Sequence, residues 1–405
     1  MYRRSLCTDA GLRSDDPQRS AQHHRHHTRH VSPAFPLHGW RPVWACDTRL
    51  DERVLAPWRQ QPHSGPIPGG GIGAPGPGST DGGIVRPTGG RNPDGSPRFD
   101  QTVRPGGYLW WYIDALSDDG AFGLTIIAFV GSVFSPYYYW ALKKDPNTNP
   151  ENHCAINVAL YGRGARRWTM TERGQKAIAR DSRQFQIGPS RLHWNGEALE
   201  IEINEWAMPL PRPVRGVVRV YPNQLFHYVT ALDDQQHHHW GPIAPSARVE
   251  VNLSSPALSW KGHAYLDSNE GRSPVIDGFT EWDWSRAGLK DQSVAVLYDI
   301  RQRNGAERLL ALRFRPDGSV EEFVAPPRQS LPPALWRVGR SIRNDIGASA
   351  TVLQTLEDTP FYVRSVLQSN LLGEQVISMH ETLNIPRLDS LSTRLMLPWK
   401  MPRRS

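Results

Sequence analysis

Beyond residue 98 the chain alternates apolar and polar positions with a period of two, and no long stretch repeats at the period of an amphipathic helix. Leu199-Glu-Ile-Glu-Ile-Asn-Glu205 follows Leu192-His-Trp194 across an Asn195-Gly196 turn, which predicts a hairpin, and residues 214–221 alternate again. Gly107-Tyr-Leu-Trp-Trp-Tyr-Ile-Asp114 is a run of strand formers, and Ser117-Asp-Asp-Gly120 supplies a turn before the next apolar run. Residues 155–161 and 167–171 predict two more strands around Gly162-Arg-Gly164. The second half repeats the style at 293–300, at 307–314 with an Asp317-Gly318 turn, and at 336–342, 361–366 and 375–379. Residues 121–142 carry no charge, but Gly123, Gly131, Pro136 and a wealth of Thr, Ile, Phe, Val and Tyr favour two consecutive strands over one membrane-spanning helix. Short strands at near-regular spacing predict an all-β protein built as antiparallel sandwiches or barrels, with one domain over 99–255 and a second over 256–405.

Residues 1–98 follow another pattern. A run His23-His-Arg-His-His-Thr-Arg-His30 and a Gly/Pro-rich segment at 65–78 offer too few apolar side chains to offset chain entropy, so a disordered basic extension is expected. The histidines lack the regular spacing and the carboxylate or thiolate partners of a dedicated metal site. Gly69-Gly-Gly-Ile-Gly has neither the preceding strand nor the following helix of a phosphate-binding loop.

Composition changes this picture little. Within 405 residues, Cys7, Cys46 and Cys154 form no CxxC pair and no disulfide framework, which points to a reducing compartment. The net charge of +7 comes without a helix-turn-helix, RNP or zinc-finger pattern, so no nucleic-acid partner is expected. An anionic membrane surface would attract the chain, and an ordinary basic protein would have the same charge. Met1-Tyr-Arg-Arg-Ser-Leu-Cys7 leads into polar residues without the apolar core of a secretory signal.

Candidate chemistry gathers at 237–271. His237-His-His-Trp-Gly-Pro242 and Trp260-Lys-Gly-His-Ala-Tyr-Leu-Asp-Ser-Asn-Glu-Gly271 flank a strand-like run at 247–253. Neighbours on a strand point to opposite faces, so only His237 and His239 of the three histidines would share an ion, and no metal or cofactor is expected. On local grounds Asp267 reads as a turn residue, Trp240 and Tyr265 as core aromatics, and Asp114 as part of a hairpin turn. The sharper reading buries Asp267 among Trp240, Trp260 and Tyr265, where its pKa rises and it becomes a proton donor. Aromatic faces suit positive charge on carbon. Together they suggest alkene protonation followed by capture of the cation by water.

Several longer motifs occur in one order: Gly106-Gly-Tyr-Leu-Trp-Trp-Tyr-Ile-Asp-Ala-Leu-Ser-Asp-Asp-Gly120, Val130-Gly-Ser-Val-Phe-Ser-Pro-Tyr137, Met170-Thr-Glu-Arg-Gly174, His263-Ala-Tyr-Leu-Asp-Ser-Asn269, Leu356-Glu-Asp-Thr-Pro-Phe-Tyr362 and Leu397-Pro-Trp-Lys-Met-Pro-Arg-Arg404. From about residue 99 onwards the chain resembles the carotenoid 1,2-hydratases, also called hydroxyneurosporene synthases. The resemblance implies two lipocalin-like β-domains and cofactor-independent addition of water across the terminal double bond of an acyclic carotenoid such as lycopene or neurosporene. It implies Asp267 as the acid, Trp240 and Tyr265 as shields of the cation, and His238 as the group that orients or deprotonates water. Such a substrate resides in the bilayer, so peripheral attachment on the cytoplasmic side of the inner or photosynthetic membrane is expected, through residues 137–144 or 399–404. Two departures stand out. Glu270 replaces an aromatic and brings a second carboxylate near the acid, either raising the Asp267 pKa or pointing into solvent; Asn384-Ile-Pro-Arg-Leu388 replaces a Leu-Asp-Arg-Phe-like segment. The alternatives are a non-catalytic carrier of hydrophobic polyenes, and a cofactor-free isomerisation or cyclisation on the same scaffold.

Overall fold

The computed structural model describes residues 88–404. The expected disorder of the extension lies outside the described residues up to residue 87. Residues 88–98 are described and pack on the fold.

The first sheet is built from β1 (Tyr108–Ser117), β2 (Gly123–Val130), β3 (Cys154–Tyr161), β4 (Arg167–Arg173), β5 (Ile178–Arg180), β6 (Gln184–Ile187), β7 (Ser190–Trp194), β8 (Leu199–Ala207), β9 (Arg212–Pro222), β10 (Thr230–Ala231), β11 (His238–Ser255) and β12 (Ala257–Gly271). Its order is β4-β3-β2-β1-β12-β11-β9-β8-β7-β6-β5, with β10 paired to β11 and every one of these pairings antiparallel. The expected division near residue 255 therefore falls in the turn of the β11–β12 hairpin, and the first sheet runs on to Gly271. The sheet curls on itself. Phe185 of β6 lies 5.8 Å from the Trp111 ring of β1, and Arg173 of β4 makes a buried 2.9 Å ion pair with Glu205 of β8.

A second sheet holds β13 (Phe279–Gly288), β14 (Val294–Gln302), β15 (Glu307–Phe314), β16 (Val320–Glu322), β19 (Thr351–Asp358), β20 (Tyr362–Leu371) and β21 (Glu374–Asn384), in the order β16-β15-β14-β13-β21-β20-β19. The short pair β17 (Arg328–Ser330) and β18 (Ser341–Arg343) stands apart, and β22 (Arg403–Arg404) adds to β4 in parallel. Among the described residues, four short α-helices complete the fold: α1 (Pro136–Lys144), α2 (Val275–Gly278), α3 (Ile385–Asp389) and α4 (Leu391–Lys400). Among the described residues no helix is long and apolar enough to cross a membrane.

Period-two alternation builds two different interiors from the same strands. On β1, Leu109, Trp111, Ile113 and Ala115 enter the core inside the first sheet, with Ile126, Val158, Leu192, Ile201, Val218 and Val249. Tyr108, Trp110 and Tyr112 face the other way, onto Trp282 and Trp284 of β13, Val296 and Tyr298 of β14, and Met379 and Leu383 of β21. The layer between the two sheets is thus dominated by aromatic rings.

Two expectations change. Residues 121–142 form one strand and then α1, because Ser135 caps a helix: its Oγ accepts from the backbone N–H of Tyr137 and Tyr138 at 3.1 Å, and Pro136 occupies the first turn. That Ser-Pro signal was present in the sequence and outweighs the β-propensity of the tyrosines. Of residues 336–342 only Ser341 and Ile342 are in a strand, while Trp336 and Arg337 belong to a turn with Arg337 at positive φ.

Candidate active site

Between the sheets lies a cavity of about 400 Å³ lined by Trp110 and Tyr112 of β1, Trp240 of β11, Asp267 of β12, Trp282 and Trp284 of β13, and Tyr298 of β14. Glu381 of β21, Arg364 of β20 and residues 357–362 continue the wall toward α4. Pockets of this size that are mostly apolar, with a few convergent polar groups, are the usual form of a small-molecule site.

Strand register brings the acid to the rings. Asp267 pairs with Tyr112 on β1 and with Pro242 on β11, so it sits in mid-strand and not in the turn that its neighbours suggested. Residues 265, 267 and 269 share the face toward the second sheet. Trp240, opposite Asn269, donates from Nε1 to Asp267 Oδ2 at 2.7 Å, and the Tyr265 hydroxyl donates to the same oxygen at 2.9 Å. Asp267 Oδ1 is buried and has no partner among the described residues. With Oδ2 already accepting two hydrogen bonds, Oδ1 is the oxygen left to carry a proton. Burial pushes the Asp267 carboxyl up to about 8, against the downward pull of the Trp240 and Tyr265 donors and with a further rise from the charges of Glu381 and Asp114. The group is therefore largely a neutral acid at neutral pH.

The rings meet in two sets. Trp240 meets Tyr298 edge to face at 5.6 Å, Tyr298 meets Trp282 at 6.2 Å, Tyr265 meets Trp284 at 5.2 Å, and Trp284 meets Tyr112 at 5.7 Å. Two buried ion pairs support them from the second sheet. Arg286 holds Asp114 with its Nε at 2.9 Å from Oδ1, and Arg364 pairs with Glu381, which also accepts from the Tyr112 hydroxyl. Each guanidinium also lies over a tyrosine of the site, Arg286 over Tyr265 at 5.6 Å and Arg364 over Tyr112 at 5.3 Å. Asp114 is not a turn residue: it sits in mid-strand opposite Tyr265. Tyr112 and Asp114 lie in the 106–120 motif without a sequence signal for a place at the site, and Trp284, Arg286, Tyr298, Arg364 and Glu381 lie on four other strands and carry no local motif.

Of the four residues singled out from the sequence, Trp240, Tyr265 and Asp267 meet and His238 stands apart. His238 shares the Trp240 face but sits behind Tyr108, whose hydroxyl is 2.9 Å from Nδ1; Ser273 Oγ lies 3.3 Å from Nε2. It is packed so tightly that a Cβ at Gly271 or Gly278 would come within 2.7 or 2.6 Å of its ring nitrogens. Burial pulls its pKa down to about 4, assisted by His237 and His239 and opposed by Asp233, so the imidazole is neutral at neutral pH. Tyr108 in turn stacks on cavity-lining Trp110 with ring centroids 4.7 Å apart.

Glu270 is on the far face of β12. It accepts from Gly89 N at 3.3 Å and from Gln101, and Arg91 lies among its charged neighbours, so the carboxylates that raise Asp267 are Glu381 and Asp114 instead. Residues 88–91 are thereby tied to the back of the site strand, with Ser268 donating to Gly89 O. Among the described residues no cluster of three or more His, Cys, Asp or Glu side chains is placed to hold a metal ion.

Residues 126–405 match the family described as carotenoid hydratase CrtC. The chain belongs to the carotenoid hydratase family. Acyclic carotenoid 1,2-hydratase of Rubrivivax gelatinosus is 56% identical over 373 residues, covering 92% of this chain and 92% of that one. The enzyme of the same name from Thiocapsa roseopersicina is 47% identical over 399 residues, 98% of each chain. That from Cereibacter sphaeroides is 36% identical over 280 residues, 69% of this chain and 98% of its own. Among solved structures, the AttH protein of Nitrosomonas europaea superposes with a TM-score of 0.50 at 13% identity, covering 70% of this chain and 92% of that one, a likeness of fold alone. The lipocalin-like β-architecture of this chain and the aromatic layer between its two sheets are the setting of Asp267.

Proposed function

We propose that the protein adds water across the terminal 1,2 double bond of an acyclic carotenoid, with Asp267 as the acid and no cofactor. The observation that carries this reading is a buried carboxyl, its pKa pushed up to about 8 and one oxygen without a partner among the described residues, in a cavity walled by aromatic rings, in a chain of this family. A carrier of polyenes needs the rings but has no use for the acid.

The Asp267 proton transfers to the less substituted carbon of the double bond. The π electrons form the new C–H bond and leave a tertiary cation on the neighbouring carbon. Trp240, Tyr298 and Trp284 present π-faces or edges around that centre, and a cation over an aromatic face gains about 0.5–2 kcal/mol when desolvated. The Trp240 and Tyr265 donors stabilise the carboxylate left behind. A water oxygen then bonds to the cation and one of its protons returns to the Asp267 carboxylate, so the acid is restored and the net change is one water added. Arg364 pairs with Glu381, and Arg286 pairs with Asp114, so each carboxylate is held by its guanidinium and does not trap the cation. His238 acts through Tyr108, which it holds against Trp110, and is a positioning residue in this scheme. The substrate has no polar group to draw it into water, so the scheme includes peripheral contact with the membrane that holds it.

The test is incubation of purified full-length protein with lycopene in micelles, with products read by mass spectrometry. The expected product is heavier by one water, carries one deuterium on the carbon beside the carbinol when made in heavy water, and vanishes with Asp267→Asn. Unchanged pigment that co-purifies with the protein would replace this reading with the carrier.

A further inference from the structure

Helix α4 divides the cavity from the outside and turns apolar side chains outward. Thr393, Met396, Leu397 and Lys400 line the cavity. Leu391, Leu395 and Trp399 follow one another at four-residue steps, hence along one helix face, and are 73%, 54% and 71% exposed. A surface helix ordinarily turns polar residues outward. The turn that carries Trp336, itself part of the cavity wall, repeats the anomaly: Leu335 is 87% and Trp336 47% exposed. Arg387 of α3 fastens this turn beside α4, donating to Trp336 O at 2.8 Å, Arg337 O at 3.0 Å and Pro360 O at 3.3 Å. One cavity therefore has two apolar lips.

The charge around α4 is mostly positive, while the 335–336 turn holds one carboxylate, Asp358, which accepts from the backbone N–H of Leu335 and Trp336. Exposed Lys143 and Lys144 end α1, which packs on α4 through Arg394, whose guanidinium lies 4.1 Å from the Tyr139 ring. Lys400 lies over Trp168 at the inner edge of α4, and exposed Arg404 follows its end. The neighbouring Asp389 faces Arg394 at 3.7 Å. Apolar lips rimmed by cations match the interface of an anionic bilayer, where buried side chains and headgroup attraction act together.

We propose that α4 and the 335–336 turn insert into the surface of an anionic lipid bilayer, so that substrate passes from the acyl chains under α4 into the cavity without crossing water. This rests on the hydratase reading, since only a substrate dissolved in the bilayer needs such a route. It places the contact on one face that spans three segments, α1, α4 and the 335–336 turn.

The test uses the full chain and vesicles of phosphatidylcholine with or without phosphatidylglycerol. Wild type should float with the anionic vesicles. The triple variant Leu391→Ser/Leu395→Ser/Trp399→Ser should lose at least about tenfold in vesicle binding and in hydration of lycopene embedded in vesicles, while hydration in detergent micelles stays within about twofold. Lys143→Glu/Lys144→Glu, on a separate helix, should weaken binding to anionic vesicles several-fold and decides the matter if the triple variant does not fold. Undiminished vesicle binding by the folded variants, or equal losses in vesicles and micelles, would overturn the proposal. So would a wild-type dimer that the triple variant converts to monomer, which would mean that a second copy covers this face. Failure of the hydratase reading is separate: it shows as no water adduct from wild type in micelles, and vesicle binding by Asp267→Asn should equal wild type whatever its activity.

Discussion

The two faces of β1 make the most instructive comparison in the molecule. Leu109, Trp111, Ile113 and Ala115 fill the interior of the curled first sheet, where apolar side chains pack closely around them. Their neighbours Trp110, Tyr112 and Asp114 face the second sheet, where rings, two buried ion pairs and a carboxyl with a raised pKa surround open space. Both faces are buried, so burial does not tell a core from a site. What separates them is whether the buried side chains can satisfy one another: on one face dispersion suffices, and on the other polar groups are held in the ionisation states that their neighbours impose.

Changes on either face sharpen this contrast. The largest effect is expected from Asp267→Asn, with turnover lower by about 10²–10⁴-fold. Wild-type turnover should fall above about pH 8 as the acid loses its proton. Stability should move the opposite way in the mutant. The folded protein keeps the Asp267 proton to about pH 8, whereas the unfolded chain releases it near 3.8. The unfolded state therefore binds fewer protons between those values, and wild-type stability falls as pH rises across that window. Asp267→Asn lacks this loss, so thermal melts should show its stability relative to wild type rising from pH 4 to pH 8. A mutant that unfolds at neutral pH would return Asp267 to a structural role.

On the other face, Ile113→Ala should cost about 2–5 kcal/mol in chemical denaturation, with turnover per folded molecule within about twofold of wild type. A collapse of turnover in the folded mutant would mean that the two interiors are mechanically coupled. Trp240→Phe keeps the ring but removes a donor to Asp267 Oδ2. That donor favours the ionised form, so its loss should move the alkaline limb of the pH–rate profile to higher pH, and stability should drop by about 0.5–1.5 kcal/mol. The smallest effect is expected for Glu270→Gln, on the far face of β12: turnover and alkaline limb should match wild type within about twofold. A shifted limb would mean that Glu270 acts on the acid through the strand.

Some of the site was legible before the structure and some was not, for local reasons. Trp240, Tyr265 and Asp267 lie within 28 residues of one hairpin, so motif resemblance and a search for an acid among rings both reach them. His238 was named with them, yet its placement behind Tyr108 is set by Gly271 and Gly278, which close on its ring nitrogens. Glu381 and Arg364 had no signal, because an ion pair between adjacent strands looks in sequence like any two exposed charges. The same holds for α4: Ser390 caps it by accepting from Thr393 N, but ten residues with an internal Pro398 give too little periodicity to stand out against a β background.

The sequence by itself determined the strand-rich architecture, through period-two alternation and turn residues such as Asn195-Gly196 and Asp317-Gly318, and through its motifs it pointed to the family. Alternation is a local property, and it survives any arrangement of the strands that buries one face. Only the tertiary structure decided that β12 belongs to the first sheet, that Asp267 faces the second, and that Glu381 and Asp114, not Glu270, are the carboxylates that raise it. Those outcomes depend on which strands meet and in which register. A one-residue shift in register would carry Asp267 to the other face, so a buried carboxyl among the rings exists only as a consequence of the pairing of β1, β12 and β11.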